Sequence, residues 1–161
     1  MPLRLAILTI SDAGSRGQRA DASGDAIADW AGKRGFGIAA RDIVPDDSDR
    51  IVARLEQWAD NDQADLILTT GGTGLSPRDV TPEATKSVLE REAPGIAEAL
   101  RMTAYPGFHR AALARGLAGV RGKTLIVNLP GSPSGVGDGL AVLDDLVEHA
   151  VGLIRGRNTE H

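Results

Sequence analysis

The sequence predicts an α/β fold, a three-layer sandwich with a mostly parallel sheet and helices on both faces. Three observations predict it. Short apolar runs, Leu5 to Ile10 and Leu66 to Thr70 among them, alternate along the chain with stretches of helical spacing. Aromatic residues make up only 3% of a chain that is 42% hydrophobic, so the core is built from Ala, Val, Leu and Ile packed in layers. A length of 161 residues suits one domain, expected over residues 1–156 with a frayed tail at 157–161.

Residues 3 to 10 read as the first strand, because a continuous apolar run ends abruptly in Ser11-Asp12 and a polar, glycine-containing stretch. Ile27, Trp30 and Ala31 then follow helical spacing up to Gly35, which predicts a helix over 24–34 with Ser23 as its cap. Residues 38 to 44 form the next strand, closed by Pro45-Asp46-Asp47. Ser48 is placed to cap a helix carrying Ile51, Leu55 and Trp58. Residues 65 to 70 are the clearest strand and run straight into Gly71-Gly72-Thr73-Gly74. Thr81-Pro82-Glu83 has the form of a helix start with Thr as cap, predicting a helix to Glu92. Helical turns follow at 95–104 and 110–115. Strands at 117–120 and 124–129 flank a tight return at Arg121-Gly122-Lys123, and a last helix keeps its spacing from Val136 to Ile154. Trp30 and Trp58 are assigned to the core.

In such sheets ligands bind beyond the carboxyl ends of the strands, so if the strands are neighbours the loops after Ile10, Val44, Thr70 and Leu129 converge on one edge. Glycines at a strand end let backbone N–H groups approach an anion, although GGTG taken alone is equally a packing turn. A branched side chain at Gly72 is therefore expected to block the anion and leave the fold intact. Asp79 suits either a Mg²⁺ ligand beside a polyphosphate or a cap near Thr81, and Asp46 offers a second carboxylate. Asp12 and Asp21 carry the same two readings. His109, His149 and His161 are too scattered for metal ligation and are assigned to the surface.

Several classes are excluded. The absence of cysteine removes disulfides, thiolate metal sites and a cysteine nucleophile, and fits a reducing cytoplasm. No GxxxxGK[ST] occurs, no GxGxxG follows the first strand, and no Gly-x-Ser-x-Gly elbow is present. With 18 basic and 22 acidic residues the net charge is −4, so nucleic acid is not an expected partner. The longest apolar run falls far short of the roughly 20 residues of a membrane span, and Met-Pro-Leu-Arg does not open a signal peptide.

The segment Thr69-Thr70-Gly71-Gly72-Thr73-Gly74, followed by Arg78-Asp79-Val80-Thr81-Pro82-Glu83-Ala84, resembles the TTGGTG…RDVTPEA signature of the molybdopterin adenylyltransferases, the MogA/MoaB family. Ser11-Asp12, Asp21-x-Ser23-Gly24, Val44-Pro45-Asp46, Arg91-Glu92-x-Pro94-Gly95 and Asn128-Leu129-Pro130-Gly131-Ser132-Pro133 fall in the family's order and cover nearly the whole chain. Ala13 and Asp25 depart from the common pattern, and the compact length is nearer the MoaB-like branch.

The resemblance implies a trimer whose members use Mg-ATP to adenylylate molybdopterin, release pyrophosphate and prepare the pterin for a downstream molybdenum-insertion protein. Carried over by motif, Asp46 and Asp79 match the catalytic, metal-holding carboxylates. Ser11, Asp12, Gly71, Gly72, Thr73 and Gly74 match the nucleotide-binding positions, and Pro130, Gly131 and Ser132 match the loop lining the pterin and phosphate pocket. Two rival readings belong to the same family: a non-catalytic pterin-binding or delivery protein, and a trimeric scaffold. The presence of both acids among phosphate-binding glycines favours the enzyme.

Overall fold

In the computed structural model, which describes residues 2–157, four strands lie side by side and parallel, and their ends carry the loops of interest. The elements in chain order are β1 (Arg4–Ile10), α1 (Asp12–Ser15), α2 (Ala22–Arg34), β2 (Gly37–Val44), α3 (Ser48–Asp60), β3 (Leu66–Thr70), α4 (Thr81–Val88), β4 (Arg91–Glu92), α5 (Pro94–Ala104), a 3-10 turn (His109–Leu113), β5 (Ala118–Arg121), β6 (Thr124–Leu129), α6 (Pro133–Leu143) and α7 (Val147–Ile154). Of the expected frayed tail only Arg157 is described, and His161 lies outside the described residues.

The sheet order is β2-β1-β3-β6-β5-β4. β2, β1, β3 and β6 pair in parallel, whereas β5 runs antiparallel to β6 and β4 antiparallel to β5. The sheet is therefore mixed, its inner parallel strands β1, β3 and β6 covered on both sides and the edge strand β2 largely exposed. Successive strand residues point to opposite faces. Leu5, Ile7, Leu66, Leu68, Leu125 and Val127 pack under α2, α6 and α7, while Ala6, Leu8, Ile67 and Ile126 pack under α3 and α4. Continuous apolar strands are the consequence of this two-sided burial.

Helix boundaries differ from the sequence expectation where side chains find better partners. α2 starts at Ala22 because Asp21, not Ser23, accepts the Gly24 amide at 3.0 Å, and Ser23 Oγ instead donates to the Gly131 carbonyl. α3 is capped by Asp47 rather than Ser48, with the carboxylate taking the amides of Asp49 and Arg50. Thr81 is inside α4, not its cap, and its hydroxyl donates to the Gly71 carbonyl at 2.9 Å.

The helix expected to reach Glu92 ends at Val88. Leu89 turns extended, and the Glu90 amide donates to Val120, which starts the β4–β5 pairing. The segment near 110–115 is a 3-10 turn over His109–Leu113, with His109 stacked on Tyr105 at a centroid distance of 4.9 Å. The expected single helix 136–154 breaks at residues 144–146. Arg34 takes both the backbone carbonyl and the carboxylate of Asp144, and Trp30 Nε1 donates to the same carboxylate at 2.6 Å, so that carbonyl is drawn out of the helical ladder. Trp58 is buried in the core, but Trp30 is half-buried at its rim.

An ion cluster closes the opposite end of the parallel strands. The buried carboxylate of Asp65 accepts the Arg4 amide at 2.8 Å and pairs with Arg4 and Arg155, and Asp62 pairs with the same two arginines. Burial pushes the Asp65 carboxyl up, but the Arg4 hydrogen bonds and the Arg155 charge outweigh it and leave it below the ordinary carboxylate range. The hydrogen bond from Arg155 is the main cause holding Asp62 at about 2. Both folded values lie below the unfolded value of about 3.9, so this stabilisation is present above roughly pH 4 and is lost as the pH falls through the folded values. Thermal melts are expected to give a midpoint that falls below pH 4, and less steeply in Asp65→Asn. An equal acid dependence in variant and parent would rule the cluster out as its source.

Candidate functional site

Because β2, β1, β3 and β6 are parallel neighbours, the loops leaving their carboxyl ends meet on one edge of the sheet. The first two loops are locked to each other. The Asp12 amide donates to Asp46 Oδ2 and the Asp46 amide donates to Asp12 Oδ1, each at 3.0 Å. Ser11 begins α1 by accepting the Gly14 amide. Asp12 also holds Arg78 through Nε and Nη2, at 3.1 and 2.8 Å, and the Arg78 hydrogen bond lowers its carboxyl below the usual range.

The glycine loop after β3 is shaped by contacts that only glycine permits. Gly71 has φ +100°, and a Cβ there would stand 2.3 Å from the Ile10 carbonyl oxygen. Its amide is committed to the Leu129 carbonyl at 3.2 Å, so Gly71 joins the β1, β3 and β6 loops. Gly72 has φ +69°, and a Cβ would meet Thr81 Oγ1 at 2.3 Å and Asp46 Oδ1 at 3.1 Å. Gly72→Val therefore disturbs the loop itself as well as any anion that approaches it, contrary to the expectation of an intact fold. Thr73 is buried and its carbonyl accepts the Arg115 amide.

Asp79 returns to the same loop. Its Oδ2 accepts the Ser76 amide at 3.0 Å and lies 2.8 Å from where a Cβ on Gly74 would be. It does not cap α4, whose N-terminus has no side-chain cap. Its side chain instead closes the Ser76–Asp79 turn just before α4, where the Asp79 amide also donates to the Ser76 carbonyl at 2.9 Å. Asp46 is half-buried, and burial, followed by the nearby charges of Asp12 and Asp79, pushes its carboxyl up against the opposing Asp12 amide bond.

The β6 loop is held from both sides. Thr70 Oγ1 donates to the Pro130 carbonyl and Ser23 Oγ to the Gly131 carbonyl, each at 2.7 Å. Ser132 caps α6 by accepting the Gly135 amide, which directs the α6 N-terminus into the site.

Two clefts flank these loops. A cleft of about 440 Å³ lies against α5, the 3-10 turn and α6, and its wall is largely apolar, with Leu100, Ala104 and Leu113. Another, of about 600 Å³, lies over the β1 loop and the start of α2, where Ser11, Arg19, Asp21 and Asp46 face it. Gly72, Asp79, Gly131 and Ser132 border both. Gly71 borders the polar cleft, and Thr73, Gly74 and Pro130 the apolar one. Asp12 borders neither, since its carboxylate is occupied by Arg78 and the Asp46 amide.

Sequence reasoning does not single out Arg115, and it names the buried Asn128 only as the first residue of the Asn128-to-Pro133 segment, with no role of its own. Asn128 donates to Thr69 and Thr85 and accepts the Leu117 amide at 3.0 Å, bracing β6 beneath the apolar cleft. Neither residue stands in a spacing that signals its role; both act through partners distant in the chain.

Residues 6–149 match the family model described as Probable molybdopterin binding domain. The chain is similar to the molybdenum cofactor synthesis protein cinnamon of Drosophila melanogaster, with 42% identity over 149 residues. That match covers 92% of this chain and 25% of cinnamon, so the chain spans about a quarter of that relative's length. It is similar to the molybdopterin adenylyltransferase of Helicobacter pylori strain J99, 38% identical over 156 residues that make up 96% of this chain and 89% of that protein. Among solved structures it is similar to the molybdopterin biosynthesis enzyme MoaB from Thermus thermophilus, with a TM-score of 0.91, 47% identity and coverage of 98% of this chain and 99% of that one.

Proposed function

Since this chain belongs to the Probable molybdopterin binding domain family of molybdenum cofactor biosynthesis proteins, we propose that it is a molybdopterin adenylyltransferase, with residues 1–156 as one functional domain. It transfers AMP from ATP to a phosphate oxygen of molybdopterin and releases pyrophosphate. The observation that carries this reading is the pair of clefts with a common border at Gly72, Asp79, Gly131 and Ser132. A two-substrate transfer needs two binding regions that meet at the reacting atoms.

Attack in line on the α-phosphorus asks little covalent chemistry of a protein, so positioning and charge stabilisation do the work. With the Gly71 amide committed to Leu129, the amides of Gly72, Thr73 and Gly74 bind phosphate oxygens. Ser132 and the α6 N-terminus orient the attacking pterin phosphate. Ser11 borders the polar cleft, and Asp12 supports the site indirectly by fixing the Asp46 backbone.

The residues present fit Mg²⁺. Asp46 and Asp79 are both half-buried beside the glycine loop, and the raised Asp46 carboxyl is what a nearby cation would relieve. Among the described residues no group of three or more His, Cys, Asp or Glu side chains gathers, so Asp46 and Asp79 would hold the ion from the protein side and its other ligands would come from substrate and water. Bound there, Mg²⁺ supplies neutralising charge for the departing pyrophosphate.

The decisive experiment incubates purified protein with molybdopterin, ATP and Mg²⁺ and assays adenylyl-molybdopterin and pyrophosphate. Both products are expected. Tight molybdopterin binding with neither product would replace this reading with a non-catalytic binding or delivery role. We infer the homotrimer that the family resemblance implies, in which a subunit contact would cover exposed apolar side chains such as Met102 and Tyr105. A light-scattering mass of three chains checks it. The adenylylated product would then pass to a molybdenum-insertion protein. Among the described residues no helix is long and apolar enough to cross a membrane.

A further inference from the structure

Arg115 comes from the connection before β5, far along the chain from the glycine loop, yet it ties together the two segments on which the proposed transfer depends. Its backbone amide donates to the Thr73 carbonyl at 2.8 Å. Its Nε donates to the Gly74 carbonyl at 2.8 Å and its Nη2 to the Asp79 carbonyl at 2.9 Å. Glu83, on the first turn of α4, holds the remaining side of the guanidinium. One planar fork thus spans the chain on either side of the Gly74 to Asp79 excursion. The backbone bond fixes the Thr73–Gly74 peptide unit, whose amide ends the anion-binding loop. The guanidinium fixes the Gly74–Leu75 and Asp79–Val80 units, so the end of that loop and the backbone bearing the Asp79 carboxylate are held to one plane.

The geometry points to Arg115 as a positioning residue for the adenylyl transfer, one that sets the placement of the Asp79 carboxylate relative to the Gly72, Thr73 and Gly74 amides. This rests on the adenylyltransferase reading. Arg115 bonds only backbone carbonyls and Glu83, so it acts through Asp79 and the loop. A guanidinium is required because a lysine ammonium, a point charge, does not span two carbonyls and a carboxylate in one plane.

The test compares the parent protein, Arg115→Lys, Asp79→Asn and the double variant in steady-state AMP transfer, with thermal melts of each and calorimetric titration of ATP without metal. Arg115→Lys is expected to keep a melting midpoint near that of the parent, to lower kcat by roughly 10- to 100-fold with KM for ATP changed less than about threefold, and to weaken metal-free ATP binding only slightly. Added to Asp79→Asn, it is expected to cost less than about threefold more, because the group it positions is already disabled. Parent-like kcat in Arg115→Lys, or a full multiplicative loss in the double variant, overturns the inference. A loss of kcat that tracks a large drop in melting midpoint also overturns it, by assigning Arg115 to stability alone. No transfer by the parent protein would fail the adenylyltransferase reading instead, and the two failures are thereby told apart.

Discussion

Asp79→Asn is expected to lower AMP transfer by roughly two orders of magnitude or more, about 3 kcal/mol of transition-state stabilisation, while molybdopterin binding and the melting midpoint stay close to those of the parent protein. The structural side of this expectation is favourable. The one hydrogen bond that Asp79 Oδ2 accepts comes from the Ser76 amide, and an asparagine carbonyl oxygen can accept it equally well. What the substitution removes is the negative charge, at the border common to both clefts. The α4 helix does not rely on this side chain for its cap, so no loss of helix stability is expected to mimic a loss of chemistry. Single-turnover assays with saturating molybdopterin separate the chemical step from binding. Near-parent transfer rates in a folded Asp79→Asn protein would sink the assignment of Asp79 to catalysis.

Gly71→Val is expected to be the most destabilising single change in the site, costing about 3 kcal/mol or more in urea unfolding. Two costs act together. The backbone at Gly71 has φ +100°, which a β-branched residue adopts only under strain, and the added Cβ would stand 2.3 Å from the Ile10 carbonyl oxygen. That oxygen belongs to the end of β1, between β2 and β3 in the sheet, and cannot swing aside as a side chain would. Gly122→Ala is the control. Its φ is +57°, but a Cβ there meets nothing within 4 Å, so only the left-handed strain of about 1 kcal/mol applies. Equal unfolding midpoints for the two variants would show that the approach of Gly71 to β1 is not the source of the cost.

The two predictions draw on different levels of information. That Gly71 follows a buried strand is legible in the run Leu66 to Thr70 and the glycines after it, because burial on both faces leaves a continuous apolar signal. That Gly71 lies under Ile10 is not legible, because the contact joins segments about 60 residues apart through the pairing of β1 with β3. The helix starts show the same limit. Ser23, Ser48 and Thr81 are sound cap candidates by residue type, yet Asp21 and Asp47 cap α2 and α3 and Thr81 bonds Gly71. Residue type says which side chains can bond an open amide; it does not say which other group will reach them first.

By itself, the amino-acid sequence determined the layered α/β class, the mostly parallel sheet and the glycine- and acid-bearing loops at four strand ends, which follow from local patterns, and its motifs carried the family resemblance. Only the tertiary structure decided that β2, β1, β3 and β6 are neighbours whose loops converge, the antiparallel edge formed by β5 and β4, the break of the last helix at Asp144, the pairing of Asp12 with Asp46 and the place of Arg115 between Gly74 and Asp79. The reason is the same for each. A buried carbonyl, amide or charge must find a partner somewhere, and when the partner is distant in sequence its identity is settled by which surfaces the sheet brings together.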